Sequence, residues 1–449
     1  MIFTKDEAFS GRDAGVIREK LIGILNRAEF RVTRVNRTSL TFDDSASIEE
    51  IGQSADFIYR DAASGSVISA FGRILILRNF SPADLSAVFA SLHEEILPEE
   101  VRRLPLFLGI AGFDDASNDP YWKGFPESEW FIPAKLVVES DNKVTILTVR
   151  IPGAESDPPE AVPEYINPVS AEELFFPEDE FSGWADKVEY IKDEIVKGTV
   201  SKVVLARRIT GVLPHPTNPA EIFAEMNMEN PTDTGYYYRT GDAAFMGATP
   251  EKLLTVNEGR IYTEAIAGSI KRNGVYNEQE MSEVLSTSEK DLDEHILVRD
   301  FLIENLTHFS QNIQFDKTPT IKKLKNLFHL KTMISGSMKH PELSSVLRLV
   351  HSIFPTPAVC GTPKGKAAQI INQIENAPRG YYAGIMGYFT LNGDCDFAVT
   401  IRSILLRGNV FAAYAGCGIV RNSNPELEFE ESTVKLKTAT APLLYANQS

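Results

Sequence analysis

Two pairs of carboxylates stand three residues apart in the second half of this chain, Asp291 with Glu294 and Glu428 with Glu431. On a helix that spacing projects both members of a pair from one face. Oxygen donors from two helices, few in number, suit Mg2+, which keeps several waters and binds beside an anionic substrate. Acidic pairs on helices also serve simply as solvated faces, and the spacing fits both readings. Arg402 sits in an apolar run, where period-two alternation groups it with Ala398 and Thr400 and away from Phe397, Val399 and Ile401. A guanidinium among small neighbours forks onto the carboxylate of a ligand or closes an internal salt bridge. Lys202 heads another alternating run, with Val204 and Ala206 on its face and Val203 and Leu205 on the other, so it starts a strand.

Other familiar chemistry fails on inspection. Gly361-Thr362-Pro363-Lys364-Gly365-Lys366-Ala367 has one residue too few between its glycines for a P-loop, and Ala367 stands where Mg2+ needs a hydroxyl. Gly416-Cys417-Gly418 lacks the third glycine of a dinucleotide fingerprint and suits close approach of the backbone to a ligand or a neighbouring element. The histidines do not cluster at ligand spacing, and no paired Cys/His set supports zinc.

The elements that must carry these residues are legible in outline. Trp184, Val188, Ile191 and Ile195 recur at steps of four, three and four, an amphipathic helix that Gly198 terminates. Further helices fit residues 13–27, 82–97, 278–306, 342–352, 364–375 and 425–438. Strands fit 67–77, 135–151, 236–239, 243–247, 252–256, 384–391, 396–407 and 410–414. Strands come in runs with long helices between them, so the order predicts an α+β or complex α/β fold with much antiparallel pairing. Six prolines among acidic residues between 151 and 177 read as a long connector. No residue before 151 looks like chemistry.

Composition narrows the function classes. With 43% hydrophobic residues over 449 positions, the chain can bury a large core. A net charge of −17 opposes a nucleic-acid partner, since the densest basic run, Lys322, Lys323 and Lys325, is broken by Leu324 and reads as a solvated face. Three cysteines without CxxC spacing predict reduced thiols in a cytoplasmic compartment. The opening residues carry Asp6 and Glu7 where a secretory peptide is basic and apolar, and no apolar run approaches the ~20 residues needed to cross a bilayer.

From residue 180 to residue 444 an ordered series of segments resembles the chorismate-utilising enzymes, the group of isochorismate synthase, salicylate synthase and the anthranilate synthase large subunit. The segments include Ser201-Lys202-Val203-Val204-Leu205-Ala206-Arg207, Gly247-Ala248-Thr249-Pro250-Glu251, Ala267-Gly268-Ser269, Asp291 through Glu294-His295, and His329-Leu330. They continue with Pro355-Thr356-Pro357-Ala358-Val359, Tyr382-Ala383-Gly384, Ile401-Arg402, Tyr414-Ala415-Gly416, and the stretch from Glu428 to Lys435. The resemblance implies an anthranilate synthase component I-like fold of two large packed sheets, with the active site in the cleft between them. It divides the chain into a variable part, 1–175, and a chorismate-binding catalytic region, 176–449, woven into one unit, as a monomer or homodimer.

The same resemblance implies the roles. Lys202 is the general base that activates water, and Glu251 the general acid that protonates the departing C4 hydroxyl. Glu294, Glu428 and Glu431 resemble the Mg2+ site, with Asp291 behind them. Arg402, Lys435 and the backbone at Gly416 and Gly418 would hold the enolpyruvyl carboxylate, and Ala267, Gly268, Ser269, His329, Thr356 and Tyr382 would line the ring pocket. Ala267 stands where some relatives carry a nucleophilic lysine, so direct displacement by water is expected, giving isochorismate. Phe354 pulls toward salicylate synthase, which also expels pyruvate, whereas the Pro355 to Val359 segment pulls back toward isochorismate synthase. The lysine at 202 disfavours an anthranilate synthase, and retention of base, acid and acidic pairs disfavours an inactive paralogue.

Overall fold

The computed structural model of the chain describes residues 1–5, 10–36, 55–90, 97–141, 143–152, 180–272 and 278–445. Its centre is a long antiparallel pair, Val67–Arg78 against Ser128–Ser140, both rich in the β-branched and aromatic residues that fill a pleated surface. Two wings of sheet leave this pair. One passes through Phe57–Arg60, Thr234–Thr240, Ala243–Thr249, Ser403–Arg407, Val410–Ile419 and Lys202–Val212. The other passes through Phe107–Ala111, Ile385–Phe389, Cys395–Val399, Lys252–Asn257, Arg260–Lys271 and Leu327–Met338. Among the described strands only Ile2–Thr4 pairs in parallel. Helices packed on a large antiparallel sheet make this the α+β fold that the element order predicts.

The chain crosses between the wings at two adjacent places. Pro250 and Glu251 join Ala243–Thr249 to Lys252–Asn257, while Thr400, Ile401 and Arg402 join Cys395–Val399 to Ser403–Arg407. The Val399 N–H donates to the Glu251 carbonyl at 3.0 Å and ties the crossings together. Two helices close over them: Glu289–Phe309 packs on the strand Arg260–Lys271, and Pro425–Tyr445 packs on Val410–Ile419.

Local chemistry explains where the elements stop. The helix Glu180–Val196 buries Trp184, Val188 and Ile191 and ends at Gly198, whose φ of 78° only glycine adopts without strain. Several expected spans divide. Residues 278–306 form two helices, because Ser288 turns extended and caps the second through the Asp291 N–H. Residues 135–151 form a hairpin rather than one strand, turning at Asp141 with φ 47°. The expected strand over 396–407 is interrupted at Thr400–Arg402, and Arg402 has φ 56°. The helix expected over 82–97 runs Pro82–Phe89, and residues 91–96 lie outside the described residues, as does the connector from residue 153. The lysine run is not a uniformly solvated face: Lys322 turns inward to the Pro250 carbonyl. Among the described residues no helix is long and apolar enough to cross a membrane, and Cys360, Cys395 and Cys417 are free and buried.

Candidate active site

A cleft of about 640 Å³, its mouth included, opens where the crossings, the two helices and the strand ends meet. The crossings supply Glu251 and Arg402; the strands supply Ala267, Gly268, Ser269, His329, Gly416 and Gly418; the helices supply Glu294, Glu431 and Lys435; Tyr382 closes the floor. Three expected site residues sit just behind this wall. Thr356 builds it, accepting the Ala358 N–H on its hydroxyl at 3.2 Å. Lys202 and Glu428 are buried beyond it; Lys202 meets the cleft through Glu294, and Glu428 feels the charge of the cleft-lining Glu431.

Lys202 is fully buried, and its ammonium stands 2.8 Å from Glu294 Oε1 without an aligned hydrogen bond to any described residue. Gly418 makes this possible: a Cβ there would lie 2.2 Å from Glu294 Oε1 and 2.6 Å from Lys202 Cε. Glycine on the strand Val410–Ile419 thus leaves the room for this close approach. At Gly268 a bulge with φ 75° pushes one extra residue toward the helix carrying Asp291, where a Cβ would meet the Asp291 backbone at 2.9 Å. The Ser269 N–H then donates to Asp291 Oδ1 at 3.2 Å.

The cleft is cationic at one end and acidic at the other. Arg402 is buried and lines the cleft, and no described carboxylate forms a salt bridge with it. Burial pulls its pKa below the arginine value, against the fields of Asp233, Tyr382 and Glu431. His329 is held neutral by burial and by Arg402 and Lys435; its Nδ1 meets Ser269 Oγ at 2.9 Å and its Nε2 has no partner among the described residues. Lys435 donates to the Gly416 carbonyl at 3.0 Å. A guanidinium without a carboxylate partner among the described residues is a receptor for a ligand anion, and the His329 ring beside it offers a polar contact.

Glu251, nearly buried, has its pKa pushed up to about 7, by burial first and then by Glu264, with Lys202, Lys322 and Lys435 opposing. That is the range of a general acid working near neutrality.

At the acidic end each glutamate is held by a lysine: Glu294 by Lys202, Glu428 by Lys290 at 2.5 Å, and Glu431 by Lys435 at 2.6 Å. Burial and the neighbouring Glu431 raise the Glu428 pKa, with Lys290 opposing. For Glu294 burial acts upward, but Lys202 outweighs it and the group stays below its ordinary value. Among the described residues no three acidic, histidine or cysteine groups converge as a ready-made metal centre. The donor set nonetheless fits a hard divalent cation: buried, mutually repelling carboxylate oxygens whose charge is now met by lysine ammoniums. Spacing alone pointed to the carboxylates and missed Lys290, although a lysine four residues before Glu294 shares its helix face. It also missed Lys322 and Glu264, which no motif marks.

Fold and cleft make up a site suited to a small anionic ligand, with Arg402 and the raised-pKa carboxyl of Glu251 facing it and Lys202 buried behind its wall. The sequence pattern of the chorismate binding enzymes matches residues 46–444, and the chain belongs to that family. It is 30% identical over 356 residues to isochorismate synthase MenF of Bacillus subtilis, covering 76% of this chain and 74% of that protein. It is 34% identical over 254 residues to the salicylate biosynthesis isochorismate synthase of Pseudomonas aeruginosa, covering 56% and 53%. The solved structure of MenF, the menaquinone-specific isochorismate synthase of Escherichia coli, superposes with a TM-score of 0.73 at 24% identity, over 95% of this chain and 99% of that one. At that identity the superposition speaks for the fold.

Proposed function

We propose that this chain is an isochorismate synthase, converting chorismate to isochorismate by adding water at C2 and releasing the C4 hydroxyl as water. The observation that carries the chemistry is Glu251, a buried carboxyl with a pKa near 7 that makes no side-chain hydrogen bond to a described residue and faces the same cleft as Arg402. Family membership and the isochorismate synthases among the relatives support the substrate and product. Arg402, Lys435 and the Gly416 to Gly418 backbone would hold a substrate carboxylate, with His329 and Tyr382 against the ring. Lys202, behind the Gly418 window, must first give up the proton its ammonium holds against Glu294, and as the neutral amine it takes the proton of the attacking water. Glu251 gives its proton to the C4 oxygen as the double bonds shift, so one proton enters and one leaves. Glu294, Glu431 and Glu428 would hold Mg2+, which when bound neutralises charge on the substrate carboxylate.

Phe354 ends the helix Leu343–Ile353 and does not line the cleft, which weakens its pull toward pyruvate elimination. The test is salicylate fluorescence from protein, chorismate and magnesium, read before and after adding an isochorismate pyruvate-lyase. Signal only after the lyase is expected. Signal before it would make the chain a salicylate synthase, and no signal in either case would overturn the proposal.

A further inference from the structure

We propose that half-buried Lys322 and buried Glu264 form a clamp that positions Glu251 by gripping the peptide groups on both sides of it. The inference rests on the reading of Glu251 as the acid. Its carboxyl makes no hydrogen bond to a described side chain, so its aim is set by the backbone of the crossing segment. Lys322, on the strand Thr320–Lys323, donates to the carbonyl of Pro250, the residue before Glu251. Glu264, on Arg260–Lys271, accepts the N–H of Lys252, the residue after Glu251, at 3.2 Å through Oε1. The two clamp residues are themselves paired through that oxygen at 3.3 Å, and Glu264 Oε2 meets Lys331 at 2.5 Å.

Stability is a weak account of this arrangement. Glu264 is almost wholly buried, and the desolvation of such pairs commonly offsets their attraction. Lys323, the next residue on the strand, is exposed, so the strand has a solvent face that Lys322 does not use. What the pair secures is the carbonyl and N–H flanking one residue.

The clamp also sets the field at the acid. Charges reach Glu251 from Glu264 on Arg260–Lys271, Lys322 on Thr320–Lys323 one strand further across the sheet, Lys202 on Lys202–Val212, Lys435 on the helix Pro425–Tyr445 and Arg402 on the other crossing. His329, from Leu327–Met338, faces the same cleft as a neutral group. Glu264 pushes the carboxyl's pKa up and Lys322 pulls it down. Deleting either charge therefore moves Glu251 in opposite directions, which a loss of packing would not do.

The experiment follows the infrared carboxyl band that Glu251→Gln removes, titrated in the full chain without substrate. In Lys322→Met its midpoint is expected to rise, in Glu264→Gln to fall, and in Lys322→Arg to stay near that of the unmodified chain. With chorismate, Lys322→Met is expected to lower kcat by ~10- to 100-fold with KM within about threefold, because the acid is displaced while the substrate's holders are untouched. Midpoints that do not move, or that move the same way in both charge deletions, overturn the clamp. If Lys322→Met does not fold, the direction of the shift in Glu264→Gln decides alone. Failure of the unmodified chain to convert chorismate would sink the functional reading and leave the infrared titration to judge the clamp.

Discussion

Glu251 is where chemistry and stability oppose each other most directly. Its folded pKa lies near 7, above the ordinary 4.5. As pH rises, the unfolded chain releases this proton first, so the folded state loses stability between those values and does not regain it above them. This is the reverse of a salt-bridged carboxylate, whose contribution is lost on acidification. Glu251→Gln removes the deficit while leaving the shape. The variant is expected to be more stable than the unmodified chain by on the order of 3 kcal/mol at about pH 8, and by nearly nothing at about pH 4. Urea unfolding at the two pH values checks this. Turnover of chorismate by the same variant is expected to fall by ~10²- to 10⁴-fold. A variant no more stable at the higher pH would mean that the buried carboxyl is compensated by partners other than those facing it.

At the scale of elements, the strand Val410–Ile419 does its work through what it lacks. Gly418 leaves the space in which Lys202 and Glu294 meet, and Gly418→Ala puts a methyl inside 2.6 Å of both. Since its backbone can accommodate alanine, the fold is expected to survive with a small change in Tm. Chorismate turnover is expected to fall by ~100-fold or more as the lysine is displaced, and steady-state kinetics beside a thermal melt separates the two effects. Elements also mark how far sequence carries. The amphipathic step from Trp184 to Ile195 and the strand start at Lys202 were legible because each rests on local periodicity. The break at Thr400–Arg402 was not: the apolar alternation runs on through it, and only the tertiary need to cross between wings bends the chain there. Site residues that lie in motif segments, such as Glu251 and Arg402, could be named by resemblance. Lys322 and Glu264 could not, because their role depends on a backbone carbonyl and an N–H that carry no side-chain signature. Lys290 hid for a related reason, its partner Glu428 lying 138 residues away on another helix.

In the whole molecule, the first 150 residues carry no group of the proposed chemistry and yet hold the cleft in place. Phe107–Ala111 is the strand that joins Ile385–Phe389 to the central pair, and Phe57–Arg60 does the same for Thr234–Thr240. The indole N–H of Trp122 donates to the Tyr414 hydroxyl at 2.8 Å, and Tyr414 stacks on Tyr382 with ring centres 5.2 Å apart at the cleft floor. A chain beginning at residue 180 would therefore lose both bridging strands, expose two open sheet edges and uncover aromatic surface that Phe107, Trp122 and Trp130 now fill. Such a fragment, although it contains every proposed catalytic and metal-binding residue, is expected to aggregate or to lack near-ultraviolet circular dichroism, and to convert no chorismate. Supplying residues 1–179 as a separate chain during refolding is expected to restore solubility, because the missing contacts are strand pairings and packed rings rather than a covalent link. A soluble, active fragment on its own would show that the wings close without their central pair, and that Tyr414 needs no prop from Trp122.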